Sequence, residues 1–232
     1  MDARPIGVFD SGLGGLTAVK ALRQILPEEK LIYFGDTARV PYGGRSKETL
    51  LKYARQDVRF LRSFDLKAIV IACGTVSTTA LPILQAEAGD FPIFGVVDPT
   101  AQQAVDATRN GKIGLIATRA SIRTGAYQAA IHQLRPEVEV SALACPLFVP
   151  LVENGRTQPG DVVIETVAAE YLAPLKAEGM DTLVLGCTHY PLLKEVIRNF
   201  MGADVTLIDS GAAVAQQLCG YLQEHDLAAE ET

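Results

Sequence analysis

Two kinds of hydrophobic pattern alternate along the chain. Short, nearly continuous apolar runs are typical of strands buried on both faces of a sheet. Between them, apolar residues recur every three or four positions, which predicts amphipathic helices. The predicted strands are residues 5–10, 30–36, 67–73, 91–98, 112–118, 138–145, 181–187 and 204–210. The predicted helices are 14–26, 46–64, 77–88, 122–134, 161–179 and 191–200, with a last helix after residue 210, and Pro82 is expected to interrupt the third.

This alternation predicts the fold class. Strands that alternate with helices indicate an α/β protein whose parallel sheets are flanked by helices. The pattern restarts near Asp98 and Pro99, so we expect two similar domains that meet there. In open sheets of this class, ligands bind beyond the carboxyl ends of the strands.

Two segments repeat one arrangement at such strand ends. Residues 68–84, AIVIACGTVSTTALPIL, and 181–197, DTLVLGCTHYPLLKEVI, each read as strand, cysteine, hydroxyl-bearing residues and helix. The helix N–H groups and dipole are expected to favour the thiolates of Cys73 and Cys187. Two such thiols facing one cavity suit stereochemical inversion, since one removes a proton and the other supplies one. The alternative is packing, because cysteine is often buried, and we assign that role to Cys145 and Cys219.

Composition and charge exclude several function classes. The chain of 232 residues is 48% hydrophobic and 21% charged, with a net charge of −6 and a pI near 5.1. This argues against a general nucleic-acid binder. No apolar run is long enough to span a membrane, and the N-terminus has no signal-peptide pattern, so we expect a cytoplasmic protein with free thiols. No C-x-x-C pair supports a structural zinc site.

Other polar residues flank these strand ends. His189 lies two residues after Cys187 and either assists proton transfer or forms a structural hydrogen bond. Asp10 and Ser11 precede a glycine-rich turn that lacks the G-x-G-x-x-G dinucleotide pattern. They either cap the following helix or point into a cleft.

Four ordered blocks carry a family resemblance. They are GVFDSGLGGLTAVKALRQILP, YFGDTARVPYGGRS, CPLFVPLVENG and LGCTHYPLL. Together they resemble the glutamate racemase family, within the cofactor-independent aspartate/glutamate racemases. The resemblance implies a first domain of residues 1–98 plus 208–232, a second of 99–207, and an active site between them. It also implies a homodimer that uses no pyridoxal or metal cofactor and makes D-glutamate for peptidoglycan.

The resemblance assigns roles to individual residues. Cys73 would take the proton from D-glutamate, supported by Asp10, and Cys187 would take it from L-glutamate, supported by His189. The implied substrate contacts are Ser11, Pro41, Tyr42, Gly43, Gly74, Thr75, Thr118, Ser121, Thr124, Glu153 and Thr188.

One departure keeps alternatives open. The family usually has Asn after the first cysteine, where this chain has Gly74. A racemase for aspartate or another amino acid, and a non-catalytic amino-acid-binding paralogue, are therefore alternatives. A single-cysteine decarboxylase or isomerase is disfavoured because both cysteines are present. A metal site at Cys187 and His189 is disfavoured because no second ligand pair accompanies them.

Overall fold

Two parallel four-stranded sheets form the framework. The computed structural model describes residues 2–229, and strands appear at each of the predicted positions. The first sheet has the order β2-β1-β3-β4 and the second the order β6-β5-β7-β8. The strands are β1 Ile6–Asp10, β2 Leu31–Gly35, β3 Ala68–Ile71, β4 Ile93–Gly95, β5 Lys112–Ala117, β6 Glu139–Ala144, β7 Thr182–Leu185 and β8 Thr206–Asp209. The predicted α/β class with two helix-flanked parallel sheets is confirmed.

Helices cover both sheets. They are α1 Leu16–Ile25, α2 Lys47–Leu61, α3 Gly74–Ala88, α4 Val97–Ala107, α5 Arg119–Thr124, α6 Ala126–Leu134, α7 Phe148–Glu153, α8 Val162–Ala177, α9 Lys194–Met201 and α10 Ser210–Glu224. A 3₁₀ turn, Tyr190–Leu193, precedes α9.

The structure corrects two helix predictions and adds two helices. Pro82 does not interrupt its helix, because Ala80, Leu81 and Leu84 bury one side of a continuous α3. This packing outweighs the hydrogen bond that proline removes. The predicted helix 122–134 is instead two helices, separated at Gly125, whose φ of +67° ends α5. Helices α4 and α7 were not predicted.

The last helix returns to the first sheet. Val214, Leu218 and Leu222 of α10 pack in one apolar cluster with Leu22 of α1 and Val8 of β1. Strand β8, which precedes α10, pairs with β7 in the second sheet as far as Asp209. The second sheet therefore extends past the boundary predicted at residue 208. Residues 1 and 230–232 of the predicted first domain lie outside the described residues.

Register aligns the strand ends that carry polar residues. In the first sheet Asp10 at the end of β1 pairs with Gly35, and Phe9 pairs with Ile71 of β3, two residues before Cys73. In the second sheet Leu185, two residues before Cys187, pairs with Ile116 of β5. Both cysteines consequently lie just beyond the carboxyl end of a central strand.

Candidate active site

A cavity of about 390 Å³ lies between the carboxyl ends of the two sheets. Both sheets contribute to its wall, so residues distant in sequence meet there. Of the predicted site residues, those lining it are Ser11, Pro41, Tyr42, Gly43, Cys73, Gly74, Thr75, Thr118, Glu153, Cys187, Thr188 and His189. Two surface clefts are larger, about 580 and 530 Å³, but neither is lined by cysteine or histidine.

Cys73 lies at the junction of β3 and α3. It is the N-cap residue of α3, and its side chain is only 4% exposed. Its thiol donates to the Ser11 hydroxyl at 3.4 Å, and the backbone N–H groups of Ser11 and Val76 lower its pKa. Burial and the negative charge of Asp10 outweigh these contacts and raise the pKa of Cys73 to about 11.

Cys187 has a different environment. Its sulfur lies 3.8 Å from Nδ1 of His189, and the backbone N–H of His189 also favours the thiolate. Burial nevertheless raises the pKa of Cys187 well above its usual range, and the charges of Cys73, Asp10 and Glu153 raise it further. The two thiols therefore have different hydrogen-bonding partners, a hydroxyl at one and an imidazole at the other.

The backbone N–H groups near each cysteine favour its thiolate as expected, but they do not bring the net pKa of either cysteine below its usual range. Removal of the sulfurs from water penalises the charged form more strongly. Both residues are consequently thiols at neutral pH.

His189 is oriented by a carboxylate. Its Nε2 lies 3.0 Å from Oε1 of Glu153, at the end of α7. The following residue, Tyr190, donates its hydroxyl to the Cys145 carbonyl at 2.9 Å and fixes the turn. Nδ1 of His189 is thereby left facing the sulfur of Cys187.

Asp10 lies behind the cavity rather than on its wall. It is fully buried, and its carboxylate accepts from the Gly12 N–H at 2.9 Å and from the Thr188 hydroxyl at 3.3 Å. Burial raises its pKa, and these hydrogen bonds oppose that effect. Asp10 therefore joins the first sheet to the residue that follows Cys187.

The glycine turn after Asp10 permits this close contact. A Cβ on Gly14 would lie 2.5 Å from the His189 ring and from the Thr188 hydroxyl. Any side chain at residue 14 would displace these groups. The glycine turn therefore allows the first sheet to approach Thr188 and His189 closely. The N-cap residue of α1 is Gly15, and neither Asp10 nor Ser11 occupies that position.

Hydroxyl groups line one side of the cavity. The Thr75 and Thr118 hydroxyls are 3.0 Å apart, and Thr118 lies 3.0 Å from the buried hydroxyl of Ser121. Thr124 is not brought to this cavity, since its hydroxyl donates to the Ser121 carbonyl and it lines a separate cleft. Thr118 thus connects a first-sheet hydroxyl to the second sheet.

A charged network holds the loop that carries Pro41, Tyr42 and Gly43. The Tyr42 hydroxyl donates to the carboxylates of Asp36 and Asp57, and it lies 3.0 Å from the latter. Arg39 bridges the same two carboxylates. Burial and the charge of Asp36 raise the pKa of Asp57 to about 6.

Sequence reasoning missed part of the cavity wall. Arg119 supplies a positive charge there, and its position directly after Thr118 at a strand end was the available signal. The remaining residues are apolar or small and carry no comparable signal. They are Gly12, Val40, Gly44, Pro146, Val149 and Pro150.

Comparison with known proteins decides the family. A model of the Asp/Glu/hydantoin racemases matches residues 17–218. The chain belongs to this family. The glutamate racemase of Chlorobaculum tepidum is 49% identical over 213 residues, which are 92% of this chain and 78% of that protein.

Solved racemase structures share the architecture. Glutamate racemase isoform RacE1 from Bacillus anthracis has a TM-score of 0.95 at 40% identity and covers 100% of this chain and 86% of its own. The Francisella tularensis glutamate racemase, solved with D-glutamate, has a TM-score of 0.92 at 42% identity, with the same coverage. The two sheets thus have the arrangement of racemases in this family.

Residues 2–229 contain neither a grouped set of metal ligands nor a membrane-spanning helix. In that range no three His, Cys, Asp or Glu side chains are grouped so as to hold a metal ion. Within the same range, none of the helices has the length and apolar character needed to cross a membrane.

Proposed function

We propose that this protein is a glutamate racemase that uses two cysteines as its acid and base. The observation that carries the proposal is that Cys73 and Cys187, from different sheets, line one cavity with separate polar partners. The Chlorobaculum tepidum relative and the Bacillus anthracis and Francisella tularensis structures, each at 40% identity or more, are glutamate racemases. The product D-glutamate would serve peptidoglycan synthesis.

The proton transfers follow from this arrangement. The Cys187 thiolate would take the Cα proton of L-glutamate, and the Cys73 thiol would supply a proton to the opposite face. The proton and charge are then exchanged between the sulfurs, and D-glutamate reacts in reverse. A thiolate formed in a buried site is a stronger base than one in water, because burial raises the pKa of its thiol. That basicity assists removal of the weakly acidic Cα proton.

Support for each sulfur differs. His189, held by Glu153, would receive the proton of Cys187 when its thiolate forms. Asp10 has no direct bond to Cys73 and would act by fixing the Gly12 turn and Thr188. We therefore propose that His189 exchanges a proton with Cys187, whereas Asp10 only holds the Gly12 turn and Thr188 in place.

The cavity wall suits a small dicarboxylate. A volume near 390 Å³ is in the range of small-molecule sites. Hydroxyl donors and the Arg119 cation favour the binding of carboxylates in this wall. We propose that these donors hold glutamate; they are Ser11, Thr75, Thr118, Thr188 and Arg119.

A substrate panel tests the proposal. Purified protein is incubated with each enantiomer of glutamate, aspartate and alanine, and products are resolved by chiral chromatography. We expect racemisation of glutamate, lost in Cys73→Ser and Cys187→Ser and retained in Cys219→Ser, which alters a thiol outside the cavity. Racemisation of aspartate instead would favour that alternative. Binding of glutamate without turnover would favour the non-catalytic paralogue.

We also propose a cell compartment and an oligomeric state for this protein. A cytoplasmic homodimer is expected from the family resemblance. Sedimentation of the purified protein tests the dimer, and fractionation of cells tests the compartment.

A further inference from the structure

Tyr127, in α6, is a buried residue with an unexplained hydroxyl. The residue is fully buried, and its hydroxyl has no hydrogen-bond partner within residues 2–229. Buried polar groups are nearly always paired, because an unpaired one loses its bonds to water. Tyr190, equally buried, follows that rule through its bond to Cys145. We therefore expect the hydroxyl of Tyr127 to interact with a charge that appears only during the reaction.

The hydroxyl lies where the two cysteine segments meet. A Cβ built on Gly74 would be 3.6 Å from the Tyr127 oxygen and 2.4 Å from the Gly186 carbonyl oxygen. Gly74 directly follows Cys73, and Gly186 directly precedes Cys187. The phenol is thus beside the junction of both segments, behind the cavity wall.

The electrostatics agree with this placement. Burial raises the pKa of Tyr127 far above its usual range, and negative charge on Cys187 or Cys73 raises it further. Both sulfurs are consequently within electrostatic reach of the phenol oxygen. The hydroxyl therefore keeps its proton, and with it its O–H dipole, at every working pH.

We propose that Tyr127 is a positioning residue, whose O–H dipole turns toward and stabilises whichever of Cys73 and Cys187 is the thiolate. In each turnover one sulfur loses its proton and the other gains one, so negative charge moves between them. The phenol O–H bond does not break, and only its direction changes. This inference rests on the proposed two-cysteine racemase function.

The absence of a side chain at Gly74 is part of this arrangement. A Cβ there would contact the Gly186 carbonyl at a distance that real Cβ atoms do not adopt. The two cysteine segments would then separate at the point where the phenol lies. Gly74 therefore keeps both segments close to the one phenol.

Tyr127→Phe tests the proposal, with Tyr171→Phe as a control that removes a phenol hydroxyl outside the cavity, where it accepts from the Leu147 N–H. For Tyr127→Phe we expect an unchanged melting temperature, kcat reduced about tenfold for both enantiomers with KM unaltered, and an activity profile shifted to higher pH. For Tyr171→Phe we expect wild-type kcat and an unshifted profile. Wild-type kcat and pH profile in Tyr127→Phe would overturn the proposal.

A second measurement separates this proposal from the racemase function. The pH dependence of iodoacetamide alkylation at Cys73 and Cys187, followed by mass spectrometry, requires no substrate. Tyr127→Phe should shift both alkylation curves to higher pH, and 3-fluorotyrosine at position 127, a stronger donor of the same shape, should shift them to lower pH. Curves that do not move would overturn the role of Tyr127 even in an active racemase. Shifted curves in a protein without glutamate racemisation would overturn the function alone.

Discussion

Nε2 of His189 lies 3.0 Å from Oε1 of Glu153, and this contact directs the other ring nitrogen toward the sulfur of Cys187. Within residues 2–229, the Cys73 thiol donates to the Ser11 hydroxyl and has no histidine partner. The two proton transfers are therefore chemically unequal, although the enantiomers that they connect have equal energy.

Substitution of His189 should expose this inequality. Because the equilibrium constant between enantiomers is one, His189→Asn must lower kcat/KM equally in both directions, and we expect about a hundredfold loss. Transfer at Cys187 then becomes rate-limiting. L-Glutamate deuterated at Cα should show a large primary isotope effect, and D-glutamate so labelled should show a small one.

The matched variant Glu153→Gln keeps a hydrogen-bonding partner for His189 but removes the negative charge of the Glu153 carboxylate. It should give the same asymmetry with a smaller loss. Equal isotope effects for the two enantiomers in His189→Asn would contradict the assignment of His189 to Cys187.

Gly74 should resist replacement. A Cβ at this position would meet the Gly186 backbone at 2.4 Å, and a carbonyl cannot move aside as a flexible side chain can. We expect Gly74→Ala and Gly74→Asn to lower kcat/KM at least tenfold.

Gly220→Ala is the control for Gly74, since its added Cβ would meet nothing within 4 Å in α10. Steady-state kinetics of the three variants provide the comparison. Increased activity in Gly74→Asn would show that the segments adjust without loss, against our expectation.

The buried thiols should make the fold sensitive to alkaline pH. Burial raises the pKa of Cys73 to about 11, and it also raises the pKa of Cys187. The native state therefore holds protons that the unfolded chain releases above about pH 8.5, so stability falls as pH rises from there through the native pKa. The melting temperature should drop over this range, and less steeply in Cys73→Ser. A parallel drop in wild type and variant would argue against a thiol origin.

Breaking the ion pair of Lys67 and Glu29 should lower the free energy of unfolding more than breaking an exposed ion pair. Lys67 Nζ lies 2.6 Å from Glu29 and also donates to the carbonyls of Asp2 and Leu227, joining both ends of the described chain. Both side chains are buried, so Lys67→Met should cost about 3–5 kcal/mol of unfolding free energy. Urea titration measures this loss.

An exposed pair supplies the reference. Arg55 and Glu87 are bidentate but are 45% and 44% exposed. Water screens such a pair, so Arg55→Met should leave the free energy of unfolding almost unchanged. Equal losses in the two variants would contradict the role given to burial.

Strand positions were predictable because each buried strand is a continuous apolar run bounded by turns. The ends of the helices were less predictable from the sequence. Pro82 indicates a break by its own chemistry, but the packing of α3 depends on residues of other elements. Similarly, Gly125 ends α5 through a left-handed conformation that the apolar period does not reveal.

The candidate site was partly predictable for the same reason. Cys73 and Cys187 follow strands directly, so their meeting at one cavity could be inferred from topology. The local sequence predicted the N–H contribution to each cysteine's pKa, but the larger effect of burial depends on the three-dimensional surroundings of each sulfur. Tyr127 reads as an ordinary core position of an amphipathic helix, and its unpaired hydroxyl appears only in the packed structure.

The central claim is that two different cysteines handle the proton on the two faces of Cα. Proton NMR in deuterated buffer during the first turnovers measures this directly. With protiated L-glutamate, we predict that D-glutamate formed carries deuterium at Cα while the remaining L-glutamate keeps its proton, and the same with the enantiomers exchanged. Deuterium appearing equally in substrate and product from the start would indicate a single base and would contradict the account.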